Sequence, residues 1–242
     1  MANKTNNVFI TKETIKRLAK DVKDIYDNPL EQHGIYYIHS EDDILFGQAL
    51  IIGPKNTPYN YGNYLFTFKF PFDYPSKPPI VTYHTNDGVT RFNPNLYRSG
   101  KVCISILNTW KGPQWTSCQN ISSILLSLCA SVLNDTPLLN EPGITYNHID
   151  YNNYNKIITY KNYEIAIVNI INNDKVKSNF PELYKIISKN FLENYNDILF
   201  NLDKNIHLNN EFIETNIYKM KIRTSYKIVK DKIKEIYKLL KN

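Results

Sequence analysis

Residues 91–115 read RFNPNLYRSGKVCISILNTWKGPQW and hold one cysteine between a turn and an apolar anchor. Asn93-Pro94-Asn95 is turn chemistry, because Asn side chains bond nearby backbone and proline pre-sets its own φ. Cys103 follows eight residues after Asn95, and Ile104, Ile106 and Leu107 come next with a spacing suited to seating the segment in a core. A fixed loop therefore presents a single thiol. Thiols react as thiolates, and a free cysteine with a pKa of about 8.5 is already a few per cent ionised at neutral pH.

Upstream of this stretch the periodicity is that of strands. GIYYIHS, ILFGQALIIG, YLFTFKF and IVTYH are short apolar or alternating runs separated by segments rich in Gly, Pro and Asn, which predicts a four-stranded antiparallel meander. Residues 11–27, TKETIKRLAKDVKDIYD, predict an amphipathic helix. Ile15, Leu18, Ala19, Val22, Ile25 and Tyr26 form its apolar side, and Lys12, Lys16, Arg17, Lys20 and Lys23 lie mostly opposite. Thr11 or Thr14 is placed to cap it, and Asn28-Pro29 ends it. Downstream, helices are predicted over 121–133, starting near Gln119 or Asn120, and over 157–171 and 181–202. A last apolar stripe runs through Ile222, Tyr226, Val229, Ile233, Ile236 and Leu240. The fold class is α+β, with the helical appendage expected to pack on the first domain.

At 242 residues the chain has room for one principal domain and an appendage. No window approaches a membrane span, and the opening MANKTNNVFI lacks a signal peptide's apolar core, so no membrane partner and an intracellular, reducing location are expected. The three cysteines, Cys103, Cys118 and Cys129, have neither zinc-site spacing nor disulfide density. The net charge of +6 equals the excess of nine Lys or Arg over three acids between Glu214 and Asn242. No base-stacking cluster or known motif accompanies that tail, so it reads as a solvated helix and nucleic acid is not an expected partner. Abundant Asn reads as solvated surface.

FNPN, GKVCISIL, TWKGPQW, ISSILLSL and LLNEPG, in that order after DYPSKPP, resemble the catalytic domain of the ubiquitin-conjugating enzyme family over residues 8–165. The likeness is greatest to the subclass with FNPN in place of HPN and a helical C-terminal extension, here 166–242. The resemblance implies that Cys103 accepts ubiquitin, or a ubiquitin-like modifier, as a thioester from an ATP-consuming activating enzyme. It passes the modifier to a substrate lysine or a ligase cysteine. No bound cofactor or metal is implied, since ATP is used by the partner.

By the same resemblance Asn95 supplies oxyanion stabilisation or holds the loop, and Asp135 is the nearest acid to the Pro137-Leu138 pair that an activating carboxylate precedes in the family. Lys12, Lys16, Arg17 and Lys20 correspond to the helix face that meets the activating enzyme and overlaps the ligase site. Ser76 and Ser117 stand at ligase-facing positions usually filled otherwise. Two rivals remain open: a thiol hydrolase pairing Cys103 with one of five histidines, and a catalytically weak binding module of the same fold.

Overall fold

The computed structural model describes residues 10–241. Residues 8 and 9, at the expected start of the catalytic domain, and Asn242 lie outside the described residues. Helix α1, Lys12–Asp27, is capped by Thr11, whose hydroxyl accepts from the Thr14 amide at 3.0 Å, and the chain leaves it at Asn28 before the proline. Its buried stripe is Thr14, Leu18, Asp21 and Ile25. Ile15, Ala19 and Tyr26 face solvent, contrary to the expected apolar side. Two polar residues take inward places because each finds a partner. Thr14 Oγ1 donates to the Phe72 and Tyr74 carbonyls at 2.8 and 2.9 Å, and Asp21 accepts from Arg17 and Tyr74.

Strands β1 (Ile35–His39), β2 (Phe46–Ile52), β3 (Asn63–Lys69) and β4 (Ile80–Tyr83) form the expected antiparallel meander in the order β1-β2-β3-β4. Its register pairs Tyr37 with Ala49, Ala49 with Phe66, and Phe68 with Val81. Those residues point to one face, against Leu18 of α1 and the apolar side of α2, Ile121–Ser127. Asn120 caps α2 in a reciprocal bond pair with Ser123, and the helix runs on through a wider π-wound turn, Leu128–Val132. The alternate residues, Leu50, Ile52 and Leu65, point the other way and are also buried. This accounts for the unbroken apolar run Ala49–Ile52: a strand covered on both faces has no polar side to alternate with.

The second layer over the sheet is the C-terminal extension. Helix α3, Tyr151–Lys161, starts earlier than expected and continues without a break through a π-wound stretch, Asn162–Asn169, and a last turn, Ile170–Asn172. The expected domain boundary at 165 thus falls inside one rod, with Ile165 and Ala166 in the inner core and Ile167 and Val168 in the outer one. Asn63 Nδ2 donates to the Ala166 carbonyl at 2.9 Å and Tyr64 donates to Asn162 at 2.7 Å, tying rod to sheet. Then come α4 (Asp174–Asn179), α5 (Pro181–Glu193) and α6 (Tyr195–Asp203). The single helix expected over 181–202 is broken at Asn194. Ile222 belongs to neither helix: it lies in β6 (Lys221–Arg223), which pairs with β5 (Phe212–Glu214) in a hairpin before the closing helix α7, Tyr226–Lys241. No described helix is long and apolar enough to cross a membrane.

Candidate active site

The loop after β4 is held by its own side chains. Asn93 Oδ1 accepts from the Asn95 amide at 2.8 Å, closing the turn that Asn-Pro-Asn predicts, and Leu96 N donates back to the Asn93 carbonyl at 2.9 Å. Asn93 itself is fully buried, its Nδ2 donating to Tyr59 Oη at 3.1 Å and to the Val132 carbonyl at 2.7 Å. The Cys103 amide then donates to the Asn95 carbonyl at 2.8 Å. Ile104, Ile106 and Leu107 are buried as anchors, and Asn108, in the left-handed region at φ 56°, stops the short Ser105–Leu107 turn. Thr109 returns beside the cysteine: its Oγ1 accepts from the Ile104 amide at 3.0 Å, and its carbonyl accepts from Cys103 Sγ at 2.6 Å.

Asn95 and Cys103 are therefore brought together. Asn95 Nδ2 donates to the Cys103 carbonyl at 2.6 Å. Its Oδ1 accepts from Asn140 Nδ2 at 2.9 Å, and the second N–H of Asn140 donates to the Ser131 carbonyl at 2.8 Å. Asn140 Oδ1 in turn accepts from Asn134 Nδ2 at 3.0 Å. The chain of amides fixes which way the Asn95 carboxamide points. Asn95, Ile104, Trp110, Ser131 and Asn140 line a cleft of about 270 Å³ beside the cysteine loop. Among the described residues, no histidine or carboxylate is hydrogen-bonded to Cys103. His39 bonds Tyr37 and the Ile44 carbonyl, His84 bonds Thr67, and His148 accepts from the Asp150 amide. The Cys-His pairing of a thiol hydrolase is absent from these contacts.

The other expected residues fall in two places. Asp135 is exposed and neither lines the cleft nor joins the amide chain. Arg17, Ser76 and Ser117 come together where α1 meets two loops. Arg17 Nε donates to Asp21 at 2.8 Å and its terminal nitrogens donate to the Ser117 and Gln119 carbonyls. Burial works against the Arg17 charge, but the hydrogen bond and charge of Asp21 outweigh it and raise its pKa. Trp115 Nε1 donates to the Pro75 carbonyl at 2.7 Å, fastening the same two loops. Ser76 and Ser117 are exposed on this seam, and Lys12, Lys16 and Lys20 are exposed on the helix beside it. Arg17 is thus a strap within the fold, whereas the three lysines are available to a partner.

Asn140 is the residue that sequence reasoning missed. Its only signal is position, two residues after the buried pair of Pro137 and Leu138 in the short turn that carries it back to the loop.

A family model described as ubiquitin-conjugating enzyme matches residues 17–161. Ubiquitin-conjugating enzyme E2 Z of Danio rerio is 39% identical over 194 residues, covering 78% of this chain and 57% of that protein. The Homo sapiens protein of that name is 40% identical over 187 residues, covering 76% and 51%. Probable ubiquitin-conjugating enzyme E2 26 of Arabidopsis thaliana is 39% identical over 137 residues, covering 55% and 24%. The chain spans just over half the length of the E2 Z relatives it matches.

Proposed function

Because the chain belongs to the ubiquitin-conjugating enzyme family, we propose that it carries ubiquitin or a ubiquitin-like modifier as a thioester on Cys103. In the loading step Cys103 Sγ, as thiolate, attacks the modifier's thioester on the activating enzyme, and that enzyme's cysteine leaves as thiolate. In the transfer step an amine of a protein substrate, or a ligase thiolate, attacks the new thioester and Cys103 leaves. ATP is consumed earlier by the activating enzyme, and no cofactor on this chain is required. Both steps trade one acyl bond for another, so the chain must hold the thioester and orient an acceptor; no adjacent base is needed to form the thiolate.

The observation that carries this reading is the bond from Asn95 Nδ2 to the Cys103 carbonyl at 2.6 Å. It places a fixed amide donor next to the thiol-bearing backbone. In the resting loop that donor holds the backbone, and its second N–H is free to meet the oxyanion when an amine attacks. Asp135, exposed in the bend three residues past the π-wound turn, is a weaker candidate for drawing a proton from the incoming lysine. The exposed lysines of α1 offer the activating enzyme and a ligase a basic face that speeds encounter, with Ser76 and Ser117 at its edge. The three cysteines are free thiols, in keeping with a reducing cytoplasmic or nuclear location.

Incubation with activating enzyme, ATP and modifier should give an adduct that thiol reductant releases, and Cys103→Ser should convert it to a reductant-stable ester. Absence of the adduct across several modifiers and activating enzymes rejects the reading. One observation favours a catalytically weak binding module instead: Cys103 is only 3% exposed. Discharge onto free lysine decides between them, because a weak module would keep its thioester.

A further inference from the structure

We infer that Tyr218, in the turn of the β5–β6 hairpin, is a positioning residue for Asn95 and acts through Arg91, so that the C-terminal extension is part of the transfer machinery. This rests on the thioester reading above. Arg91 opens the cysteine loop. Its guanidinium carbon lies 3.4 Å from the centre of the Tyr97 ring and 5.1 Å from that of Tyr218, so the cation sits over one ring of the loop and one of the extension. From that position Nε donates to the Asn93 carbonyl at 3.2 Å and Nη2 to the Pro94 carbonyl at 2.7 Å. These are the two peptide groups immediately before Asn95. The planar fork fixes their orientation, and with it the carboxamide that faces Cys103.

The extension adopts strained backbone at this turn and ties it to the cysteine loop. Tyr218 and Lys219 are consecutive non-glycine residues in the left-handed region, at φ 58° and 51°. Such backbone persists only where its surroundings enforce it. Here they do: Arg98 Nη2 donates to the Tyr218 carbonyl at 2.6 Å, the Tyr218 hydroxyl donates to Glu141, and the Ile217 amide donates to Asp150 at 2.8 Å. The Arg91 amide donates to Met220 Sδ at 3.3 Å, and Tyr154 donates to the Arg91 carbonyl at 2.6 Å. Arg98 lies three residues past Asn95 and Glu141 directly follows Asn140, so the turn is clamped to both segments that carry the amides of the cleft. A hairpin needed only for packing would use glycine or asparagine at the left-handed positions and leave Arg91 to solvent.

The test separates positioning from folding. Tyr218→Leu keeps apolar bulk and loses the ring face; Tyr218→Phe keeps the face and loses the bond to Glu141. Tyr218→Leu should load within about twofold of wild type and discharge onto free lysine about tenfold more slowly, since small misplacements of reacting groups cost rates of that order. Tyr218→Phe should keep at least about half of the discharge rate, because the ring over Arg91 remains. In an Asn95→Ala background, Tyr218→Leu should change discharge by less than about twofold, there being no amide left to misplace. Wild-type discharge by Tyr218→Leu, or an equal loss with and without Asn95, overturns the inference.

If Tyr218→Leu does not fold, Arg91→Lys, which keeps charge but not the fork, carries the same expectations. A second readout needs no activity: the side-chain amide resonances of Asn95 should broaden or shift in Tyr218→Leu and stay unchanged in the exposed control Ile228→Ala. Should wild type fail to load, the conjugation reading falls while the amide resonances still decide whether Tyr218 positions Asn95.

Discussion

Asn140 donates to Asn95 Oδ1 at 2.9 Å, and that bond leaves Asn95 Nδ2 facing the Cys103 carbonyl at 2.6 Å. A carboxamide whose oxygen is satisfied from one side cannot exchange its two ends without losing both bonds. Replacing Asn140 by alanine should therefore slow discharge by about tenfold while loading stays within about twofold, a fraction of the 10²- to 10³-fold expected when an oxyanion donor is removed outright. Asn140→Asp should be worse than alanine, because it sets a carboxylate against Asn95 Oδ1. Single-turnover loading and discharge, followed on gels, measure both. Discharge at the wild-type rate by both variants would mean that the orientation of Asn95 does not matter.

Arg17 and Lys16 are neighbours in sequence with different expected consequences. Arg17→Ala removes the partner of Asp21, which is 3% exposed, and leaves that carboxylate with Tyr74 alone. Breaking a buried pair costs about 3–5 kcal/mol; with Arg17 itself 20% exposed, the lower end of that range is expected in urea unfolding. Lys16→Ala should change stability by less than about 0.5 kcal/mol, as exposed charges do. Its effect should appear as a slower, less salt-sensitive encounter with the activating enzyme. Similar unfolding midpoints for the two variants would remove Arg17 from the fold's interior.

Stability should fall on mild acidification through His39. Burial holds its pKa below the ordinary 6.5, outweighing the bond to the Ile44 carbonyl. The unfolded chain then binds more protons than the folded one, so stability rises with pH. The contribution is complete above about 6.5 and declines as pH falls from there toward the folded pKa. Burial lowers the pKa of His84 as well, with the same sign. Melting temperatures of wild type should drop more steeply between pH 7 and 5 than those of His39→Gln. Parallel curves would refute the assignment.

Legibility in the sequence followed length and period. The four strands and α1 are readable because each repeats its pattern over four or more residues, and Ile104, Ile106 and Leu107 announce themselves as anchors. Strands of three residues such as Phe212–Glu214 and Lys221–Arg223 hold no period to read, so the sequence pattern leaves the first unassigned and takes only Ile222 of the second into the last apolar stripe. The buried stripe of α1 was mistaken at Ile15 and Tyr26, since a hydropathy pattern cannot show that Thr14 and Asp21 have partners from other segments. Asn140 was hidden by composition: in a chain this rich in asparagine, a structural amide looks like solvated surface.

The outer face of the sheet gives the remaining prediction. Leu50 and Leu65 are each 0% exposed, and what covers them is the second half of the α3 rod and the helices after it. Gln48 Nε2 also donates across this seam to the Asn179 carbonyl at 2.7 Å. A chain ending at Lys161, where the family match stops, would uncover Leu50, Ile52 and Leu65 together, and a buried Leu or Ile contributes about 1.5–3 kcal/mol. Contiguous apolar surface of that kind aggregates. The shortened chain should be insoluble or melt well below the full one. In the full chain, Leu65→Ala should cost about 2–5 kcal/mol, as much as Leu125→Ala in the inner core. A soluble shortened chain with an unchanged melting temperature, or a Leu65→Ala cost under about 0.5 kcal/mol, would show that the extension merely rests on the sheet.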